Sequence, residues 1–173
     1  MPTNWMNNDG LYIKFGTNEA TPAQAGEYRF DGPERCIELE LTLALLTPIT
    51  TNYFPSDTVV VPSGSRITRC ELFVETAATS AGSPTLDIGL IRLDRTTGFD
   101  DDGFIAAVAM TALDTAGTNI LYTPTADSVP AGGTGFGALI GTTLANPGYI
   151  VASTNTAVFT AGKVIFRVFY YKP

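Results

Sequence analysis

TLDIGLIRLDRTTGFDDDGFIAA, residues 85–107, reads as a buried strand, then a polar acidic loop, then an apolar return. Leu86, Ile88 and Leu90 alternate with Asp87 and Gly89, and Ile91 and Leu93 then make the second face apolar as well. A strand that is apolar on most of both faces belongs near the centre of a sheet. One set of strands must therefore come before it and another after it.

The return, FIAAVAMTAL (104–113), is rich in alanine and other good helix formers. Asp101 or Asp102 is placed to cap it, because a carboxylate accepts the free N–H groups of a first turn. The segment is expected to be one short helix, with a strand as the competing reading.

Upstream, residues 67–76 alternate with Cys70, Leu72 and Val74 inward and Arg69, Glu71 and Glu75 outward; Phe73 sits among those charges. Residues 58–61 form a short strand before the tight turn PSGS (62–65). The cleanest alternation is in 36–45, where Ile37, Leu39, Leu41 and Leu43 oppose Glu38, Glu40 and Thr42. Period two means one buried and one wet face. Cys36 falls on the polar face and Cys70 on the apolar one, so two free thiols are expected.

Downstream, 119–123, 149–153 and 157–160 read as short strands, and KVIFRVFYY (163–171) as the longest. In the last, Val164, Phe166, Val168 and Tyr170 form one face, and Ile165, Arg167, Phe169 and Tyr171 the other. Strands at this spacing with turn signals between them indicate a mostly β, single-domain β-sandwich, jelly-roll-like or Greek-key. Large apolar groups on a face that should be wet (Phe73, Ile165, Phe169, Tyr171) suggest a covered surface. The cover is an N-terminal arm, another subunit, or an interior in which both faces are dry.

The leading residues, 1–33, mix polar positions with isolated aromatics: Trp5, Tyr12, Phe15, Tyr28 and Phe30. Short strands fit 11–15 and 26–30. The segment divides from the sandwich at 34–173 either as an arm with aromatic anchors or as edge strands on their own core.

The 173 residues suffice for one domain with a real core. Hydrophobic residues make up 45% and charged residues only 16%, a balance that suits a surface partly covered by neighbours in an assembly. The net charge is −7, and the ten basic residues are scattered. A phosphate-binding surface needs them clustered, so no nucleic-acid partner is expected. No run approaches the length of a spanning helix, and the N-terminus lacks the pattern of a signal peptide, so no membrane is expected either.

Histidine is absent. Its absence removes Ser-His-Asp and Cys-His nucleophiles, the usual zinc ligands and the commonest general base. Asp94, Asp100, Asp101 and Asp102 could hold calcium, which takes oxygen ligands, but their bunching matches no EF-hand. A solvated loop with a helix cap is the preferred reading, and no cofactor is expected. GGTGFG (132–137) lacks the Lys-Ser/Thr of a phosphate loop.

Several stretches together resemble small structural proteins of tailed-bacteriophage virions, in particular capsid decoration (cement) proteins. They are NWMNNDGLYIKFGT (4–17), GEYRFDGP (26–33) with IELEL (37–41) after it, the opening stretch 85–107, GALIGTTLANPGYIVAS (137–153) and FTAGKVIFRVFYY (159–171). The resemblance implies a β-sandwich, often a homotrimer, on the outer head surface, with a major capsid protein as partner and no catalytic residues. Such a protein is made in the bacterial cytoplasm and ends on the virion. Trp5, Tyr12 and Phe15 would anchor the arm, and Phe73, Phe169 and Tyr171 would line contacts between subunits. The alternatives are a glycan- or receptor-binding jelly-roll of a tail, fibre or baseplate, which the single Trp5 serves poorly, and a metal-dependent hydrolase built on the Asp94–Asp102 loop.

Overall fold

A computed structural model describes residues 4–6, 12–14, 23–29, 34–46, 60–95, 98–124 and 137–172. Within them the alternating segments become two antiparallel sheets facing each other across one core. The five-stranded sheet has the order β3-β4-β11-β6-β9. It comprises β3 (Ala23–Arg29), β4 (Glu34–Thr42), β6 (Arg66–Thr79), β9 (Asn119–Tyr122) and β11 (Ala161–Tyr171). The four-stranded sheet has the order β5-β10-β7-β8. Its members are β5 (Val60–Val61), β7 (Thr85–Arg92), β8 (Gly98–Ala109) and β10 (Gly148–Asn155). A separate two-stranded ladder joins β1 (Asn4–Met6) to β2 (Tyr12–Lys14).

The chain changes sheet at almost every step from β4 to β11; only β7 and β8 are consecutive partners in one sheet. Period two decides the rest. Ile37, Leu39 and Leu41 of β4, Leu72 and Val74 of β6, and Val164, Phe166 and Val168 of β11 point inward. They meet Leu86, Ile88 and Leu90 of β7, Phe104, Ile105 and Val108 of β8, and Ile150 and Ala152 of β10. Phe104 and Phe166 bridge the layers with ring centroids 5.8 Å apart. Full burial of each such side chain contributes about 1.5–3 kcal/mol.

The stretch 85–107 is the hairpin β7–β8, and β7 is interior to its sheet, as its two apolar faces require. The expected helix over 104–113 is not there. Residues 104–109 continue β8, and only Met110–Ala112 closes a 3-10 turn. Helix propensity is a weak prior, and here pairing overrides it: Leu86↔Val108 and Ile88↔Ile105 bring two large apolar residues of this segment to the core, where Phe104 joins them. Asp101 and Asp102 accordingly lie within β8 and cap nothing. Among the described residues there is no α-helix. Residues 157–160, read above as a strand, are irregular and join β10 to β11. From the leading segment, β3 pairs along its whole length with β4 as the outer strand of the five-stranded sheet.

Candidate functional site: the two outer faces

Between their charged tips, the outward positions of the five-stranded sheet hold apolar groups. β11 lies between β4 and β6, so its outward cations stand between two rows of glutamates. Lys163 contacts Glu40 at 2.7 Å and Glu75 at 3.0 Å. Arg167 meets Glu38 at 2.6 Å and Glu71 at 3.9 Å. Arg69, on β6, donates to Glu34 at 2.7 Å, and its guanidinium lies 3.6 Å from the centroid of the Phe169 ring. Burial alone would lower the pKa values of Arg69 and Arg167, but hydrogen bonds to Glu34 and Glu38 hold both above their ordinary value. The face carries an ionic lattice whose acids and cations pair with one another within the chain.

That lattice decides the fate of the aromatic candidates. Phe169 is only 6% exposed, covered within its own chain by Arg69. Phe73 is half-buried and directly opposite Ile165. Tyr171 remains 40% exposed at the strand end. Cys36 and Cys70 are free and buried. Burial, with Glu38 next, pushes the Cys36 thiol up to about 12, and burial raises Cys70 as well, so neither is a thiolate nucleophile. Phe15 lies outside the described residues, and for Trp5 and Tyr12 only the backbone is described, in the β1–β2 ladder.

The four-stranded sheet presents the opposite chemistry. β8 makes irregular pairings with β7: Leu90 pairs with Asp100, yet Ile88 pairs with Ile105, so residues 101–104 bulge opposite Gly89. Glycine is required there, because a Cβ on Gly89 would fall on the Asp100 carbonyl oxygen and the Asp101 backbone. On the far side of β8 the Leu139 N–H donates to the Gly103 carbonyl at 2.8 Å, and a Cβ on Gly137 would strike Gly103. Wedged between these contacts, Asp100, Asp101 and Asp102 place their carboxylate oxygens within 4.8 Å of one another. Asp94, in the hairpin turn, is not part of the group. Burial, then a hydrogen bond with Asp102 and the charges of Asp102 and Asp101, pushes Asp100 up to about 6.

Asp87 was not singled out in the sequence. It is 4% exposed and accepts from the Ala107 N–H at 2.5 Å and from Asn155 Nδ2 at 3.1 Å. The first of these bonds secures a second irregularity, at which Ala107 takes φ +54°. Burial raises the Asp87 pKa against both hydrogen bonds, helped by Asp102 and Asp101. The signal was available: an acid at a dry position of an otherwise apolar strand needs a buried partner.

No family model and no curated protein matches the chain. Two solved structures share its overall course. One is a chain of the acidic stable capsid structure of Helicobacter pylori bacteriophage KHP30, with 15% identity and a TM-score of 0.45, over 87% of this chain and 94% of that one. The other belongs to the capsid of Ralstonia phage GP4, with 17% identity and a TM-score of 0.45, over 87% and 85%. Overlaps this loose do not establish a common fold. Among the described residues no helix is long and apolar enough to cross a membrane.

Proposed function

We propose that this chain is a non-enzymatic structural protein of a tailed-phage virion, a decoration protein that binds the outer head surface as a homotrimer. Its partner is the major capsid protein, and it stabilises the expanded shell by mass action, since it binds that lattice and not its precursor. The resemblance of residues 4–17, 26–33, 85–107, 137–153 and 159–171 to such proteins supports the assignment. The strand order supports a jelly roll: β4-β11-β6-β9 faces β5-β10-β7-β8, with β3 added at one side, an architecture used by viral shells.

The observation that carries the reading is the β1–β2 ladder. It pairs three residues on each strand, Asn4↔Lys14, Trp5↔Ile13 and Met6↔Tyr12, and belongs to neither sheet of the sandwich. A two-stranded ladder is marginal in water and needs a surface to complete it; β2 lies beside β3 of the five-stranded sheet, which covers part of it and leaves the remainder for a partner. On a capsid, that surface is the shell, with Trp5, Tyr12 and Phe15 as anchors and Phe73 and Tyr171 at the contacts between copies. Deleting residues 1–15 should leave the sandwich folded and abolish binding to expanded heads in a co-sedimentation assay. Undiminished binding by the truncated chain would remove the arm from the account. Glycan-array hits by a chain that ignores heads would move the protein to a tail or fibre.

A further inference from the structure

We propose that the outer edge of β9 is an interface between two copies of this chain, which pair there as antiparallel strands about a two-fold axis at Ile120. An open strand edge is a template for another strand, and proteins blunt it with charge, cover or brevity. Three of the four sheet edges are blunted in these ways. β8 carries Asp100, Asp101 and Asp102, and the Gly137 and Leu139 N–H groups donate to its Phe104 and Gly103 carbonyls at 3.2 and 2.8 Å. β3 has β2 beside it, and β5 is two residues long. β9 carries neither charge nor proline, and its ladder to β6 runs on past its own four residues, to Gly117 and Thr118 beside Val74. Among the described residues no main chain pairs with its outer side.

The direction of its free groups follows from the pairing with β6. The Val74 N–H donates to the Thr118 carbonyl at 2.8 Å, which makes Leu72↔Ile120 and Cys70↔Tyr122 the hydrogen-bonded pairs of the ladder. Asn119 and Leu121 occupy the alternate places, so both turn N–H and C=O away from β6, and both are exposed. This edge is its own complement. Turned about Ile120, one copy's Asn119 meets the other's Leu121, and each such pair exchanges both of its hydrogen bonds. The side chains agree. Leu121 is 42% exposed and shares the outer face with half-buried Phe73 and its cross-strand partner Ile165, so an added strand extends cover over an apolar strip. Charge favours a like copy as the occupant. Residues 115–124 are uncharged in a chain of net charge −7, so two copies approach here without mutual repulsion. Glu71, opposite Leu121, is already engaged by Arg69 and Arg167.

The proposal does not rest on the virion reading, because a two-fold junction joins single chains or trimers alike. The test is amide hydrogen exchange on the full chain, resolved residue by residue by NMR. Exchange at Asn119 and Leu121 should slow by about tenfold between micromolar and millimolar protein, while Ile120 and Tyr122 stay protected throughout. Leu121→Pro removes an N–H that the fold does not use and should lower the sedimenting mass at millimolar concentration by half or more, with Tm kept. Leu121→Lys keeps the N–H and charges the edge; it should lower the mass in the same way, so a misfolded proline variant does not void the test. Fast exchange at both amides at every concentration would overturn the interface, as would an unchanged mass for Leu121→Lys. Protection that ignores concentration would overturn it too, by putting another part of the same chain on the edge.

Discussion

The two sheets carry acids on their outward sides and treat them in opposite ways. On the five-stranded sheet, Glu34, Glu38, Glu40, Glu71 and Glu75 each sit within 4.0 Å of Arg69, Lys163 or Arg167, so every charge has a counter-charge across a strand. On the four-stranded sheet, Asp100, Asp101 and Asp102 follow one another in a bulge and bring their carboxylate oxygens within 4.8 Å of one another. Regular pairing delivers complementary rows. An irregular strand concentrates like charges. On the first face each of these charges finds its partner within the chain, and on the second burial and the crowding of Asp102 and Asp101 make Asp100 hold a proton more tightly than a lone carboxyl would.

The largest way to break this contrast is to unlock the bulge. Gly89→Ala should cost about 3 kcal/mol by overpacking, since its methyl group has only backbone to push against. Gly64→Ala is the control: its φ of +77° favours glycine but nothing lies within 4 Å, so about 1 kcal/mol is expected. Chemical denaturation of both variants reads the difference; equal losses would mean that the bulge is not clamped at Gly89.

On the lattice side, Arg69→Ala removes the contact to Glu34 and uncovers the Phe169 ring in one step. A loss of about 1–2 kcal/mol is expected, with Arg69→Lys recovering only part of it because an ammonium cannot both stack and bridge.

Acid separates the two faces next. Asp100 is pushed up to about 6 from its ordinary 3.8, so the folded chain holds this proton more tightly than the unfolded chain does. The resulting stabilisation is complete below pH about 4 and is lost as the pH rises through about 6. Asp100→Asn in chelator should therefore melt higher than the parent at pH 8, by about 3 °C, and the gap should close by pH 4. A gap that is constant with pH would show that Asp100 is not under strain.

The smallest effect should come from Lys163→Met, about 0.5 kcal/mol, since this cation and its two glutamates are partly exposed. That cost should shrink in 1 M salt. Persistence at high salt would mean that the aliphatic stem, rather than the charge, does the holding.

The lattice face was readable because the middle stretches of β4, β6 and β11 keep period two: Glu38, Glu40, Glu71, Glu75 and Arg167 all take the outward places that alternation assigns them. What alternation could not show was register. Only the pairing of Phe169 with Arg69 reveals that the aromatic is covered from inside the chain. The acidic face was misread for a related reason. Residues 100–109 carry two breaks of period that erase alternation and leave an alanine-rich string resembling a helix. Gly89 in β7 and Gly103 in β8 were the available clue, since glycine inside a strand pattern marks a bulge or a close backbone approach. The partners of Asp87, the Ala107 N–H and Asn155, declare themselves only once the strands are side by side.

β11 enters the five-stranded sheet after both of its neighbours, β4 and β6, have appeared in the chain, and it fills the slot between them. Each of those two long strands needs β11 to complete one edge, and paired positions lie between 82 (Thr79↔Ala161) and 137 (Glu34↔Tyr171) residues apart in the chain. Placing β11 between them closes two long loops, so much of the entropy cost of this layer falls on that strand. Once closed, pulling the strand out means breaking both flanking ladders at the same moment, so the last strand of the chain locks the layer mechanically.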